Sequence, residues 1–151
     1  MKKTKAKGRS SGSFVELLKY PVAILLVLSL FRLISLSLFS NRFDGIFVIL
    51  VLLVYGYIGW SAVKRYKFSL GKSAWAGIIA IGITSVVFLI LLMISGKTVF
   101  DMAGVNPTEL GIPPEAIEYT KMIMIISSFI FSVIIGGIVA LIGAVIAQKT
   151  K

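Results

Sequence analysis

The run MIMIISSFIFSVIIGGIVALIGAVIA, residues 122–147, carries no charged side chain and decides the fold of this chain. A helix of about 20 apolar residues crosses a hydrocarbon core of about 30 Å, so this run is long enough to span a membrane. Three further apolar runs, residues 21–39, 46–63 and 74–94, contain a single charge among them, Arg32. The sequence therefore predicts an all-α membrane protein, a bundle of four transmembrane helices.

Composition agrees with a membrane environment. The 151 residues are 58% hydrophobic, with a mean hydropathy of +1.00, which is more apolar surface than a soluble domain of this size can bury. The chain contains neither Cys nor His, which excludes disulfides, thiolate metal sites and imidazole bases. We expect no metal and no cofactor. The net charge is +10, and the basic residues flank the apolar runs. This pattern indicates topology signals and contacts with anionic lipid headgroups rather than nucleic-acid binding.

The four runs divide the chain into a membrane domain with short polar ends. Residues 14–20 are predicted to form a short interfacial turn, after which the first helix begins at Pro21. A cleaved signal peptide ending near Ser35 is the alternative, but the charge of Arg32 inside its apolar region opposes it. The expected parts are a disordered basic tail at 1–13, the four-helix domain at 14–148 with an outer loop at 95–121, and a cytoplasmic end at 149–151.

The polar connections contain helix-start signals. Asp44 is expected to cap the second helix by accepting a backbone N–H. In the outer loop, Asn106 before Pro107 predicts a short helix that stops at Gly111. The pair Pro113 and Pro114 predicts a second start, from which the last helix runs without a break into the apolar run and protrudes beyond the outer face.

The distribution of basic residues predicts that both termini lie in the cytoplasm. The expected location of the protein is the plasma membrane. The outer segments then hold three cations, Arg42, Lys97 and Lys121, together with five of the six acids. Such a bias is the positive-inside pattern. The twelve inner cations are Lys2, Lys3, Lys5, Lys7, Arg9, Lys19, Lys64, Arg65, Lys67, Lys72, Lys149 and Lys151.

Arg32 is the candidate intramembrane polar site, because a charge at that depth costs at least about 2.5 kcal/mol on insertion scales. No Asp or Glu lies within a predicted span, so Ser29, Ser35, a tyrosine hydroxyl, a carbonyl or a lipid phosphate is expected to compensate it. The functional interpretation is a contact with an anion or a lipid headgroup. In the simpler interpretation the side chain extends to the interface, where water and headgroups solvate it.

The last span carries small residues at every fourth position, which lie on one helix face. Such a face allows close approach of another helix, either inside this bundle or from an oligomer or a membrane protein partner. Gly56 and Gly59, and Ala76 and Ala80, are expected to supply the opposing surfaces. The candidate packing face comprises Ser128, Ser132, Gly136, Ala140 and Ala144.

No catalytic constellation is present in the sequence, so we expect a protein that is not an enzyme. Proton-coupled transport is opposed by the lack of Asp, Glu or His inside a span. By elimination the chain is interpreted as a non-catalytic accessory or scaffold protein that acts through helix packing. The alternative is a passive pore, or a membrane protein that binds an anion or anionic lipid through Arg32. The expected contacts are the lipid bilayer, with anionic headgroups at its cytoplasmic face, and no nucleic acid.

Overall fold

The computed structural model describes residues 13–150, and it is all-α over this range. Four helices are long and apolar enough to cross a membrane, as the apolar runs predict. The expected basic tail lies outside the described residues, apart from Ser13. The elements are α1 (Phe14–Phe39), a 3₁₀ turn (Ser40–Phe43), α2 (Asp44–Lys64), α3 (Leu70–Ile94), α4 (Val99–Ala103) and α5 (Pro114–Lys149).

Helix α1 begins at Phe14, about two turns earlier than expected, and Pro21 lies inside it. The expectation of a separate interfacial turn before Pro21 is wrong. Proline lacks the N–H that would bond to the carbonyl of Leu17, yet Leu17, Leu18 and Pro21 are all buried. Close van der Waals packing of these side chains against the other helices offsets the missing backbone bond.

The predicted outer loop contains a short helix, but it is not the expected one. Residues 107–111 form turns, in which Asn106 Oδ1 accepts hydrogen bonds from the Thr108 N–H and hydroxyl. The short helix is α4, which Thr98 and Asp101 start with a reciprocal capping box. Gly104, with φ of 66°, ends it; this left-handed conformation favours glycine.

Helix α5 confirms the predicted start and its continuity. Pro113 precedes the helix and Pro114 is its first residue, and the helix runs on to Lys149. Its 36 residues correspond to a length of about 54 Å. Since a hydrocarbon core is about 30 Å thick, part of α5 must extend beyond it.

Helices α2 and α3 form the centre of the bundle. They contact each other, and both α1 and α5 pack against each of them, with the most extensive contacts made by α5. Helices α1 and α5 therefore lie on opposite sides of the α2–α3 pair. The Phe14 ring lies 4.9 Å from the Phe68 ring, and Lys64 Nζ donates to the Thr150 carbonyl. Both described ends of the chain thus lie at the same end of the bundle as the α2–α3 connection.

The bundle is closely packed over only half of its length. We call residues 14–25, 55–84 and 136–149 the packed half, and residues 26–54 and 85–135 the open half. Most of the core belongs to the packed half, including Leu25, Ile58, Ile81 and Ala140. Among the described residues of the open half, only Leu33, Leu92 and Phe100 are buried. The open half carries the two connections that hold the 3₁₀ turn and α4.

Candidate functional site

Arg32 forms an ion pair with Asp44 in the open half. Arg32 Nε lies 2.5 Å from Asp44 Oδ1 and Nη2 lies 2.8 Å from Oδ2, so the guanidinium donates bidentate hydrogen bonds to both carboxylate oxygens. The expectation that no carboxylate is within reach of Arg32 is wrong. Arg32 lies about 10 Å before the end of α1, and the 3₁₀ turn brings the first residue of α2 back beside it.

The same contact explains why Asp44 is not a helix cap. The N-cap position of α2 is Phe43, which makes no side-chain capping bond, and Asp44 is the first residue inside the helix. A carboxylate in the first turn is still favoured by the helix dipole. The negative charge of Asp44 therefore stabilises both the start of α2 and the cation on α1.

The guanidinium of Arg32 also contacts a third helix. Its Cζ lies 5.4 Å from the centre of the Phe88 ring in α3, a distance at which cation–π attraction operates. The Arg32 and Asp44 side chains are 29% and 34% exposed. The cation is thus held between α1, α2 and α3 rather than directed into lipid alone, and its charge is already balanced.

The two serines of the predicted polar site do not join Arg32. Ser29 Oγ donates to the Leu25 carbonyl at 2.8 Å, one turn back in its own helix. Ser35 is half-buried, and the described residues give it no hydrogen bond to Arg32. A serine in a membrane helix commonly bonds to its own backbone. The geometry therefore replaces the expected set of Arg32, Ser29 and Ser35 with Arg32, Asp44 and Phe88.

The small-residue face of α5 is divided between the two halves of the bundle. Gly136, Ala140 and Ala144 are buried, whereas Ser128 and Ser132 are exposed. Over the buried part the helix backbones come very close together. A Cβ added to Gly59 would overlap the backbone of Ala140, and one added to Gly77 would lie 2.5 Å from the Ala140 Cβ.

A second glycine contact continues this close approach toward the chain ends. A Cβ on Gly143 would overlap the carbonyl of Gly56 in α2. The α2 glycines therefore face α5 as the sequence suggests. On α3, Ala76 and Ala80 are fully buried, and Gly77, which is not among the residues predicted to face α5, also approaches α5 closely. The sequence feature that could have identified Gly77 is its position directly after Ala76, another small residue on α3.

A cavity of about 540 Å³ opens at the end of the open half. Charged residues from separate segments meet there: Arg42 from the 3₁₀ turn, and Lys97 and Asp101 from the start of the outer loop. The remaining lining residues are Leu36, Ser37, Leu38 and Phe39. Sequence reasoning had treated these charges only as topology signals.

Asp101 is ionised at neutral pH. Its Oδ2 accepts hydrogen bonds from the Thr98 N–H at 2.6 Å and the Thr98 hydroxyl at 2.7 Å. These bonds, with a smaller contribution from the charge of Lys97, lower the pKa of Asp101 below its usual value. The spacing Thr-x-x-Asp at residues 98–101 is a capping-box signal, and it is the feature that could have located this carboxylate from the sequence.

The chain matches no family model, no curated protein and no solved structure. Within residues 13–150, no three or more Asp and Glu side chains gather as a metal site would require. Function must therefore be inferred from the geometry of the chain itself.

Proposed function

We propose that the protein is a non-catalytic accessory or scaffold protein of the plasma membrane, and that it acts by packing one face of α5 against a helix of a membrane protein partner. The observation that carries this proposal is the divided small-residue face. Gly136, Ala140 and Ala144 are buried inside the bundle, while Ser128 and Ser132, which continue this row of small residues with a rotation of about 40° per step around α5, are exposed in the open half.

The exposed part of the face has the properties of a helix-packing surface. Small side chains allow two helix backbones to approach closely, which increases van der Waals contact where no hydrophobic driving force exists between helices in lipid. Neighbouring Ser127 already donates to the carbonyls of Ile123 and Met124, so its hydroxyl demands no other partner. The surface is therefore compatible both with lipid and with an incoming helix.

Orientation follows from charge. Both described ends of the chain lie at the end of the bundle that carries Lys64, Arg65, Lys67, Lys72 and Lys149, and the acids of the outer loop lie at the other. The positive-inside rule then favours cytoplasmic termini, with the open half toward the outer face. In this orientation the exposed face of α5 meets its partner in the outer leaflet.

The ion pair of Arg32 reduces support for the alternative of a pore or anion site at this residue. A cation that serves a mobile anion is expected to keep donors available to that anion. Here Nε and Nη2 are engaged by Asp44, and the pair is better interpreted as a structural tie between α1 and α2.

Cross-linking in native membranes tests the proposal. Because the chain contains no natural cysteine, an introduced cysteine is its only thiol. The variants Ser128→Cys and Ser132→Cys place a thiol on the proposed face. The matched controls are Ile130→Cys and Ile134→Cys, which lie at the same depth on the opposite side of α5 and are 52% and 53% exposed. A photoactivatable maleimide attached to each thiol would report neighbouring proteins.

The proposal predicts one defined adduct with a different membrane protein from residues 128 and 132, and none from 130 and 134. An adduct of twice the chain mass would instead identify a homo-oligomer and contradict the accessory role. Equal labelling from both sides of α5, or no adduct from either, would equally overturn the proposal.

A further inference from the structure

The cavity at the end of the open half is lined by cations, a carboxylate and apolar residues. Two cations, Arg42 and Lys97, and one carboxylate, Asp101, line it. Leu36, Leu38 and Phe39 of α1 also line it, and their side chains, of which those of Leu38 and Phe39 are exposed, are called the apolar wall below. Its position at the last turn of a membrane-spanning helix places the charges at headgroup level and the apolar wall toward the acyl chains.

We propose that this cavity binds the headgroup of a phospholipid that carries a phosphate diester and a primary amine. Arg42 and Lys97 bind the phosphate oxygens, Asp101 accepts hydrogen bonds from the lipid ammonium, and the α1 wall packs against the upper part of the acyl chains. The site is separate from the exposed face of α5 and does not depend on the function proposed for that face.

The two cations suit a phosphate. Arginine presents a planar fork of donors that matches two phosphate oxygens, and lysine adds a compact charge. Arg42 lies in the 3₁₀ turn and Lys97 lies just before α4, and the 3₁₀ turn contacts α4. A phosphate between them would also hold these two connections together.

The carboxylate distinguishes an amine-bearing headgroup from an anionic one. Asp101 Oδ2 is occupied by Thr98, while the described residues offer no hydrogen-bond partner to Oδ1. An ionised oxygen at the edge of the cavity attracts an ammonium and repels a second negative charge. It also favours a primary ammonium, which donates hydrogen bonds, over a quaternary one, which cannot.

Lipid titration of the purified full chain, followed by native mass spectrometry, tests the proposal. The probes are phosphatidylethanolamine, phosphatidylglycerol and phosphatidylcholine with identical acyl chains, and soluble glycerophosphoethanolamine as the headgroup without chains. Phosphatidylethanolamine should bind more tightly than the other two lipids. The soluble headgroup should bind at least about tenfold more weakly, because it lacks the contacts with the apolar wall.

Variants of the charged residues that line the cavity test which residue binds which part of the lipid headgroup. Arg42→Gln with Lys97→Gln should weaken phosphatidylethanolamine binding by about tenfold or more, since charge-assisted bonds to phosphate are lost. Asp101→Asn should bring the affinities for phosphatidylethanolamine and phosphatidylglycerol close together. Lys121→Gln is the matched control, because Lys121 lies at the same end of the molecule but lines the neighbouring cavity instead. It should leave binding unchanged.

Asp101→Asn also disturbs the side-chain bonds of the capping box of α4, so Lys97→Gln alone provides a variant that leaves the capping box intact. Circular dichroism would verify the helix content of each variant. Equal binding of all three lipids by the wild-type chain would overturn the proposal. So would full affinity in the double variant, or soluble headgroup binding as tight as lipid binding, which would indicate a site for a free phosphate ester.

Discussion

The packed half and the open half of the bundle are built from the same four helices but are held together differently. In the packed half, glycines allow the helix backbones to pack closely. Gly59 on α2, Gly77 on α3 and Gly143 on α5 bring α2 and α3 against the backbone of α5. In the open half the described contacts between α1 and the α2–α3 pair include a charged one, Arg32 with Asp44 and Phe88. Close packing fixes one end, which leaves helix faces at the other end available for lipid or a partner.

The largest expected difference between the halves is their tolerance of added volume. Ala140→Leu should destabilise the protein by about 3 kcal/mol or prevent folding, because Ala140 is fully buried against Gly59 and Gly77 and a packed core cannot accept added atoms without strain. Ser132→Leu, two turns earlier on the same face, should change stability by less than about 0.5 kcal/mol. Unfolding in mixed micelles would measure both.

Similar losses in the two leucine variants would contradict the division of the bundle, because they would place Ser132 in a close helix contact. Similar tolerance in both would show that the glycine contacts around Ala140 are not required for the fold.

A smaller effect is expected from breaking the ion pair in the open half. Asp44→Asn should cost about 1–2 kcal/mol, a value reduced by the partial exposure of both side chains, because it leaves Arg32 without a counter-charge. Arg32→Leu combined with Asp44→Leu should recover stability relative to Asp44→Asn, since replacing both charges removes the desolvation cost. Unfolding of Arg32→Leu, Asp44→Leu and the double variant gives the coupling between the two side chains.

Additive effects of the two changes would contradict a direct contact. Neutralising the pair of Lys121 and Glu118, which are 3.4 Å apart on α5 and of which Glu118 is 80% exposed, is the matched control. It should change stability by no more than about 0.5 kcal/mol.

The smallest effect concerns the capping box of α4. The pKa of Asp101 is lowered below its ordinary value of 3.8 by the Thr98 hydrogen bonds. Its contribution to stability is therefore fully present above pH 3.8 and is lost as the pH falls through the lower pKa of the folded state. The amide proton shift of Thr98 should titrate with a midpoint below 3.8, and Asp101→Asn should abolish this titration. A midpoint at or above 3.8 would show that the capping box does not form.

The four long helices and the start of α5 at Pro114 were predictable because charge-free length and proline position are local signals. The partner of Arg32 was not, because it depends on the 3₁₀ turn that returns Asp44 to the side of α1. The burial pattern of α5 was not predictable either. Residue spacing identified the small-residue face, but whether a position on it is buried, as Gly136 is, or exposed, as Ser132 is, depends on where α2, α3 and α5 converge. The choice of α4 over residues 106–111 depends on competing local caps, Thr98 and Asn106, of similar quality.

The central claim is that the small-residue face of α5 is covered from Gly136 onward and uncovered before it. Oxygen accessibility of single nitroxide labels at residues 126–142, in purified protein in lipid bilayers, tests this claim most directly. Labels at 128 and 132 should be as accessible to lipid-dissolved oxygen as labels at 130 and 134, whereas Val139, half-buried in the packed half, should be less accessible than Ile138 and Ile142. Protection of 128 and 132 in the purified single chain would mean that the bundle itself covers the whole face, and would contradict the account.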